Sequence, residues 1–413
     1  MGRDGAYSPH DVGNRKQMKK LNADWLGENE IQSIFDMLEK AGHEVYAVGG
    51  CVRNTLLNTR NENPVPVGDI DLTSSALPGE VSDIARSRGF KVVPTGFEHG
   101  TVTLVRNGKA VQITTLRKDV GTDGRHAFVE FGHDIKEDAL RRDFTMNAIY
   151  ASCDGTVHDP LDCGIKDLES GRVRFIGNAR DRVREDYLRI LRFFRIHAFY
   201  GNQDIEADEE GLTAASEFAN RIVNLSRERI GSEMLSLLSA GNPFPAIKLM
   251  ESSGVLDHVL HGANPMYLND LIELEEIAGL EPDAMLRLAV IGGEDLAENL
   301  KLSRAHVKML QRLIGEAAGK RDPAELGYRN GVDVASKILL LRISLHGQRE
   351  LIARLDDVAI GAGAAMPVKA KDLLPECKGV LLGRALREIE RNWIESGFSL
   401  SRKELLRQHK RVN

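Results

Sequence analysis

The sequence has few cysteines and few aromatic residues. Its four cysteines, Cys51, Cys153, Cys163 and Cys377, are scattered and form no CxxC pair. This pattern argues against a disulfide framework and against a structural zinc site, and it leads us to expect a reducing compartment, the cytoplasm. Aromatic residues make up only 5% of the chain, which disfavours a single-strand binder built on base-stacking platforms.

Long apolar runs and a strong excess of one charge are also absent. The run at residues 337–345 is short and is interrupted by Arg342, whereas a membrane span needs about 20 apolar residues. The first 25 residues are polar and lack the apolar core of a signal peptide, so we expect no membrane partner. The net charge is −6, and any surface that binds nucleic acid must therefore be local.

The pattern of apolar residues along the chain changes near residue 178. Short apolar runs alternate with turns over residues 31–176, whereas helical periodicity dominates afterwards. We therefore predict an α+β head followed by an all-α neck, body and tail. The predicted boundaries are a polar N-terminal segment at 1–28, a head at 29–177, a neck at 178–260, and a body and tail at 261–413.

The spacing of apolar residues predicts the elements of the head. We expect helices over residues 31–40, 51–57 and 78–87, and strands over 44–48, 69–73, 101–105 and 110–116. Asn107-Gly108 between the last two strands is a strong hairpin signal. Residues 118–133 contain three glycines and are expected to form a mobile loop. In the remainder, helices are predicted over residues 179–199, 228–238, 245–251 and 379–393.

Two carboxylates are the first sign of chemistry. In a strand, Asp69 and Asp71 project from the same face. Two like charges that close repel each other, and a divalent cation such as Mg²⁺, with substrate phosphates in its shell, would relieve the repulsion. The alternative is the solvated face of an edge strand, because a DxD pattern is common.

Two glycines and an arginine precede this pair. Gly49 and Gly50 stand between a predicted strand and a predicted helix, where glycine allows close approach of a phosphate and the helix N-terminus offers free N–H groups. Arg53 lies in the first turn of that helix and is a candidate triphosphate ligand. The alternative is a plain strand–turn–helix corner, since the pattern matches neither the Walker phosphate loop nor the dinucleotide fingerprint.

These motifs resemble a known family. GGCVR at 49–53 and GDIDL at 68–72, followed by RRDFTMNA at 141–148, a DP…G…DL pattern at 159–168 and EDYLR at 185–189, are similar to the class II CCA-adding enzymes and bacterial poly(A) polymerases. Those proteins belong to the DNA polymerase beta-like nucleotidyltransferase superfamily. The match covers about residues 45–195 in the expected order, and residues 226–256 also resemble the family's neck and body.

The resemblance implies a fold, partners and residue roles. It implies a polymerase beta-like sheet in the head, Mg²⁺ as cofactor, CTP and ATP as substrates, and tRNA as the partner, with no protein partner evident. Asp69 and Asp71 would bind the metal, and Gly49, Gly50 and Arg53 would hold the triphosphate. The other implied nucleotide ligands are Arg142, Asp143 and Asn147 for ribose and phosphates, Asp186 and Arg189 for the base, and Arg192 and Arg195 for phosphate.

The last motif offers a physical explanation of base choice. On one continuous helix, Asp186 and Arg189 share a face at i,i+3. Cytosine and adenine each present an amino donor and a ring-nitrogen acceptor, which one carboxylate and one guanidinium can match. Uracil and guanine mismatch both contacts, and each matched pair discriminates by about 1–3 kcal/mol. The alternative is an ordinary intrahelical ion pair worth about 0.2–0.5 kcal/mol.

Two residues depart from the family pattern. Asn54 stands where the family commonly has Asp, and Gln112 stands where many relatives carry a third carboxylate. Gln112 cannot serve as a base or as an anionic ligand, so we assign no general base.

The activity predicted from these features is completion of the CCA end of tRNA. Bacterial poly(A) polymerases carry a strongly basic stretch after the metal strand, whereas residues 96–105 contain no arginine and include Glu98. The alternatives left open are a poly(A) polymerase or an A-adding enzyme of the same family, a catalytically silent RNA-binding protein and, less favoured, nucleotide transfer to a small molecule.

Overall fold

The computed structural model describes residues 19–59, 64–122, 127–374 and 377–412. The chain divides into two compact units. The first consists of Met1–Arg189 and Tyr200–Ala214, and the second of Ile190–Phe199 and Ala215–Asn413. No helix in the described ranges is long and apolar enough to cross a membrane.

A mixed sheet forms the centre of the first unit. Its seven strands have the order β3-β4-β5-β2-β1-β8-β9, and all neighbours are antiparallel except β2 and β5. A separate two-stranded sheet pairs β6 with β7. The strands are β1 Val45–Val48, β2 Asp71–Ser74, β3 Lys91–Gly96, β4 Thr101–Arg106, β5 Lys109–Thr115, β6 Arg117–Thr122, β7 Ala127–Phe131, β8 Tyr150–Ala151 and β9 Val157–His158.

Helices make up most of the remainder. Those up to the end of the first unit are α1 Asn29–Lys40, α2 Gly50–Asn58, α3 Pro78–Ser87, α4 Ile135–Leu140, α5 Gly164–Ser170, α6 Ala179–Glu185, α7 Leu188–Tyr200 and α8 Glu209–Glu217. The second unit continues with α9 Arg227–Leu238, α10 Phe244–Ser252, α11 Val255–Val259, α12 Leu268–Ile277, α13 Ala284–Ile291, α14 Leu296–Asn299, α15 Arg304–Ala317, α16 Pro323–Asn330, α17 Val332–His346, α18 Leu355–Gly363, α19 Gly379–Glu395 and α20 Arg402–Val412. The predicted fold class is therefore confirmed.

Turn chemistry explains the β4–β5 hairpin. Asn107 and Gly108 both have positive φ, 51° and 78°, the combination that a type I′ turn requires and that Asn-Gly adopts at low cost. The register pairs Arg106 with Lys109 across this turn, and the hairpin predicted from the sequence is confirmed.

Three local predictions are wrong. The paired strands β6 and β7 lie at 117–122 and 127–131, where a mobile loop was expected over residues 118–133. Residues 123–126, like residues 1–18 of the predicted N-terminal segment, lie outside the described residues. Strand β3 is an additional element that the sequence analysis did not include. The predicted strand at 69–73 begins only at Asp71, so Asp69 lies in a bend just before it. The predicted helix at 179–199 is interrupted at Asp186, which separates α6 from α7.

Helices α16 and α18 of the second unit pack against each other at two glycines. A Cβ on Gly327 of α16 would lie 2.0 Å from the carbonyl oxygen of Val358, and one on Gly361 of α18 would lie 1.8 Å from that of Ala324. Only glycine allows these two helices to approach so closely. Elsewhere in the unit, the buried Arg287 bonds to Glu275 and to the backbone carbonyls that end α9.

Candidate active site

The strand–helix corner at Gly49 requires glycine. Gly49 precedes α2 with φ 78° and ψ −131°, a backbone region that residues with a side chain rarely adopt. Its carbonyl accepts the first hydrogen bond of the helix, from the backbone N–H of Arg53 at 2.9 Å. The corner thus places Gly50 and the free N–H groups of the first helical turn directly after β1.

Arg53 is buried and firmly held. Its Nε donates to Oδ1 of Asn54 at 3.0 Å, its Nη1 donates to Oδ1 of Asn147, and its Nη2 donates to the hydroxyl of Tyr200 at 2.7 Å. Three different parts of the first unit therefore fix the plane of one guanidinium. The sequence motif placed Arg53 at this corner, but nothing in the motif indicated Tyr200.

The RRDFTMNA segment forms a turn that presents two of the predicted ligands. Oδ1 of Asp143 accepts from the backbone N–H of Phe144 at 2.8 Å and from Nδ2 of Asn147 at 3.0 Å. Asp143 and Asn147 are both buried. A hydrogen-bonded chain therefore runs from Asp143 through Asn147 to Arg53, and it joins two motifs that lie 94 residues apart.

The DP…G…DL segment packs against this turn. The buried Asp167 accepts from Oγ1 of Thr145 at 2.6 Å and pairs with Arg174 at 2.9 Å. Gly164 packs against the same turn so closely that a Cβ would lie 2.6 Å from the carbonyl oxygen of Thr145. The spacing between these motifs is thus explained by direct contact.

Arg142 is paired with a buried carboxylate next to the turn. Asp138 is fully buried and accepts from Arg141 at 2.8 Å, from Arg142 at 2.8 Å and from the hydroxyl of Tyr150 at 2.7 Å. Burial alone would raise the pKa of Asp138, but the two arginines and the Tyr150 hydroxyl lower it to about 2. Arg141 and Arg142 are therefore part of a buried cluster and not of an exposed ion pair.

The two aspartates of the DIDL motif act on each other electrostatically. Burial raises the pKa of Asp71, the positive charge of Arg142 lowers it, and the negative charge of Asp69 raises it, with a net rise. A nearby cation would relieve this repulsion, so the donor set fits a hard divalent metal. Among the residues described here, no group of three or more His, Cys, Asp or Glu side chains is arranged to hold a metal ion.

The neighbouring strand places an amide beside this pair. In the parallel register between β2 and β5, Asp71 lies opposite Gln112, and Gln112 in turn faces Thr103 of β4. This register puts Gln112, which stands where many relatives carry a third carboxylate, beside Asp71. A glutamine side chain is neutral here, so the described metal-binding candidates are the two aspartates.

Two asparagines of α2 fasten the segment that leads into the aspartates. Nδ2 of the buried Asn54 donates to the carbonyl of Pro66 at 2.7 Å. One helical turn later, Asn58 both donates to the carbonyl of Val65 and accepts from its N–H, each at 2.7 Å. Asn54 in place of the family's Asp thus supplies a donor that a carboxylate lacks. The sequence showed the departure but not this purpose.

The predicted base-reading pair is arranged differently from expectation. Asp186 has an extended backbone, and its Oδ1 accepts from the N–H of Leu188 at 3.0 Å, which caps the start of α7. Arg189 bonds through Nη1 to Glu185 and to the carbonyl of Arg182. The two residues therefore do not share one face of a continuous helix. Helix α6 ends before Asp186, and the carboxylate of Asp186 caps the next helix, α7.

The two remaining predicted ligands belong to the second unit. Arg192 and Arg195 lie on α7 within Ile190–Phe199. Nε of Arg195 donates to Glu233 of α9 at 2.6 Å, and both side chains are mostly buried. Arg195 therefore forms an ion pair within the second unit.

Two family descriptions match the chain. Residues 45–174 match the "Poly A polymerase head domain", and residues 205–267 match the "Probable RNA and SrmB- binding site of polymerase A". The first match contains the glycine corner, the aspartates and the RRDFTMNA turn.

Relatives and solved structures extend the likeness to most of the chain. "CCA tRNA nucleotidyltransferase 1, mitochondrial" of Mus musculus is 30% identical over 397 residues, which cover 91% of this chain and 88% of the mouse protein. The "CCA-adding enzyme" of Ligilactobacillus salivarius is 29% identical over 90% of this chain and 93% of its own length. The crystal structure of the Bacillus stearothermophilus CCA-adding enzyme in complex with CTP superposes with a TM-score of 0.70 at 26% identity and covers 89% of this chain and 92% of that one. The chain therefore belongs to the CCA-adding tRNA nucleotidyltransferase family.

Proposed function

We propose that this protein is a metal-dependent nucleotidyltransferase that adds or repairs the 3′-terminal CCA of tRNA, using CTP and ATP and releasing pyrophosphate. The observation that carries the proposal is the hydrogen-bonded chain Asp143–Asn147–Arg53 at the Gly49 corner. A second support is the electrostatic coupling of Asp69 and Asp71 in the same unit. The names of the similar proteins point to the same reaction.

The candidate site residues of the first unit have defined roles in this reaction. The 3′-oxygen of the RNA forms a bond to the α-phosphorus of the nucleotide as its hydroxyl proton is lost to solvent. The bond between the α- and β-phosphates breaks, and pyrophosphate leaves. Asp69 and Asp71 would hold Mg²⁺, and the ion would supply charge neutralisation at the phosphates and stabilisation of the leaving oxygen. The backbone N–H groups after Gly49 and Gly50, together with Arg53, bind the triphosphate.

The RRDFTMNA turn orients the nucleotide in this proposal. Asp143 accepts from a ribose hydroxyl, and Asn147 holds both Asp143 and Arg53 in place. Arg142 contacts phosphate from its position next to Tyr150 and Asp138. Buried acceptors of this kind discriminate well, because a substrate without the matching hydroxyl leaves them unpaired.

The base is selected by Asp186 and Arg189 in this proposal. The carboxylate of Asp186 is held at the start of α7 through its Oδ1, and Glu185 orients Arg189. One acceptor and one donor then match cytosine and adenine and mismatch uracil and guanine. The Arg189→Ala variant should lose this selection and incorporate UTP and GTP, whereas Arg184→Ala on the neighbouring α6 should not. Continued rejection of both nucleotides by Arg189→Ala would contradict the protein-template idea.

An incorporation assay distinguishes the proposal from its alternatives. The full chain is given tRNA that lacks CCA, with CTP and ATP separately and together. Addition of C, C and A followed by a stop supports the proposal, long A tails indicate a poly(A) polymerase, and addition of A alone indicates an A-adding enzyme. Absence of transfer with retained tRNA binding indicates a silent RNA-binding protein, and transfer only to a small molecule indicates the less favoured alternative.

Substitution of the aspartates tests the metal assignment. Asp69→Ala and Asp71→Ala should each abolish incorporation while tRNA binding is largely retained. Asp83→Ala, which removes an exposed carboxylate from α3, is the matched control and should behave like the wild-type protein. Undiminished turnover in either aspartate variant would refute the assignment.

Basic residues of the second unit are the proposed contacts of RNA and phosphate. They are Arg192 and Arg195 on α7 and Arg402, Lys403, Arg407 and Lys410 on α20. Through contacts of this kind a protein recognises mainly the shape of an RNA. Because these contacts are made to phosphates, tRNA binding should weaken as the salt concentration is raised. A cytoplasmic location stays a prediction, and cell fractionation would test it.

A further inference from the structure

Tyr200, the last residue of α7, covers the guanidinium of Arg53. Cζ of Arg53 lies 3.9 Å from the centroid of the tyrosine ring, and Nη2 donates to the hydroxyl at 2.7 Å. Both residues belong to the first unit. The ring face of Tyr200 thus attracts the positive charge of the guanidinium, and the hydroxyl of Tyr200 accepts from one of the N–H groups of Arg53.

The atom that Tyr200 holds is the one next to the glycine corner. A Cβ built on Gly50 would lie 3.7 Å from Nη2 of Arg53. The other side of the guanidinium is held by Asn54 through Nε and by Asn147 through Nη1. Tyr200 is therefore a contact that holds Nη2 where the proposed triphosphate would meet the corner.

We propose that Tyr200 is a positioning residue for the triphosphate, acting through Arg53. This inference rests on the proposed function, because it takes Arg53 as a triphosphate ligand. Tyr200 prevents the guanidinium from rotating away from the corner and leaves the base and ribose contacts to other residues. Its loss should weaken binding of a nucleoside triphosphate and leave binding of the nucleoside unchanged. A tyrosine that only packs the end of α7 would not make this distinction.

Calorimetric titration of the full chain with CTP and with cytidine tests the inference. Tyr200→Phe keeps the ring and loses the acceptor, so CTP should bind about 2- to 10-fold more weakly, as expected for one lost hydrogen bond. Tyr200→Leu loses the ring as well and should weaken CTP binding by about 10-fold or more. The cytidine affinity of both variants should match that of the wild-type protein. Tyr328→Phe, which removes a tyrosine hydroxyl bonded to Glu390 in the second unit, is the matched control.

A double-mutant cycle with Arg53→Ala separates positioning from general packing. If Tyr200 acts through Arg53, replacing Tyr200 in the Arg53→Ala background should not weaken CTP binding further. Additive losses, or equal losses for CTP and cytidine, would overturn the inference. If Tyr200→Leu does not fold, as judged by circular dichroism, Tyr200→Phe decides the question. A wild-type protein that binds CTP no better than cytidine would instead refute the proposed function itself.

Discussion

The buried carboxylate of Asp138 allows a quantitative test of the cluster beside the nucleotide turn. Asp138 is fully buried and pairs with Arg141, Arg142 and Tyr150. Its pKa is lowered from 3.8 to about 2, which corresponds to about 2 kcal/mol of folding free energy. Because the folded-state pKa is depressed, this stabilisation is complete above pH 4 and is lost as the pH falls towards 2.

The Asp138→Asn variant should remove this pH dependence. At pH 7 it should be less stable than the wild-type protein by about 2 kcal/mol or more, since both arginines lose their counter-charge. The difference between the two proteins should shrink as the pH falls from about 4 to about 2, where about half of the wild-type carboxyl groups are protonated in the folded protein. Asp138→Ala, which also removes every hydrogen bond, should cost about 3–5 kcal/mol at pH 7.

Tryptophan fluorescence provides the assay. The sequence contains two tryptophans, Trp25 in the first unit and Trp393 in the second. In a Trp393→Phe background, urea unfolding followed by Trp25 reports on the first unit alone. The reasoning would be refuted if the difference in unfolding free energy between the wild-type protein and Asp138→Asn stayed constant from pH 5 to pH 2. Such a result would mean that the charge of Asp138 adds nothing to stability.

Three further changes have defined outcomes. Asn54→Asp removes a buried amide donor, so the first unit should lose about 1–3 kcal/mol in urea, and more Mg²⁺ should be needed for half-maximal activity; an unchanged midpoint and Mg²⁺ dependence would contradict the role assigned to the amide. Gly361→Ala should lower the melting temperature of the second unit, because its Cβ would lie 1.8 Å from a backbone oxygen, whereas Gly363→Ala, with open space around it, should not; equal melting temperatures would be the contrary result. Arg287→Met should destabilise the second unit by about 3–5 kcal/mol in urea by stranding the buried Glu275, and added Glu275→Gln should restore part of the loss; full stability of the single variant would exclude this account.

Local sequence patterns predicted much of the head correctly. The helix at 78–87 has the predicted ends, because a proline at its first position and a regular apolar face define it. The Asn107-Gly108 turn is equally local, since two residues suffice to select a hairpin. The motifs were also sufficient to select the family, although motifs alone did not show how they touch one another.

One error arose where a polar side chain competes with the helical pattern. Helical spacing continues through residues 179–199, yet the carboxylate of Asp186 caps a new helix and breaks the run. Apolar periodicity cannot report this competition, because it records where apolar residues stand and not which hydrogen bond the backbone chooses. The prediction of a mobile loop over residues 118–133 was wrong because strand pairing depends on a partner strand and not on composition alone.

The amino-acid sequence by itself determined the family, the glycine corner, the DIDL carboxylates and the order of the head and the helical remainder, because each depends on residue types at short spacings. Only the tertiary structure decided how Arg53 is held. One of its partners, Asn54, is its neighbour in sequence. The partners Asn147 and Tyr200 lie 94 and 147 residues away along the chain, and no short-range pattern links such positions. The physical reason is that a buried guanidinium must find acceptors wherever the fold brings them, and that choice is made by packing.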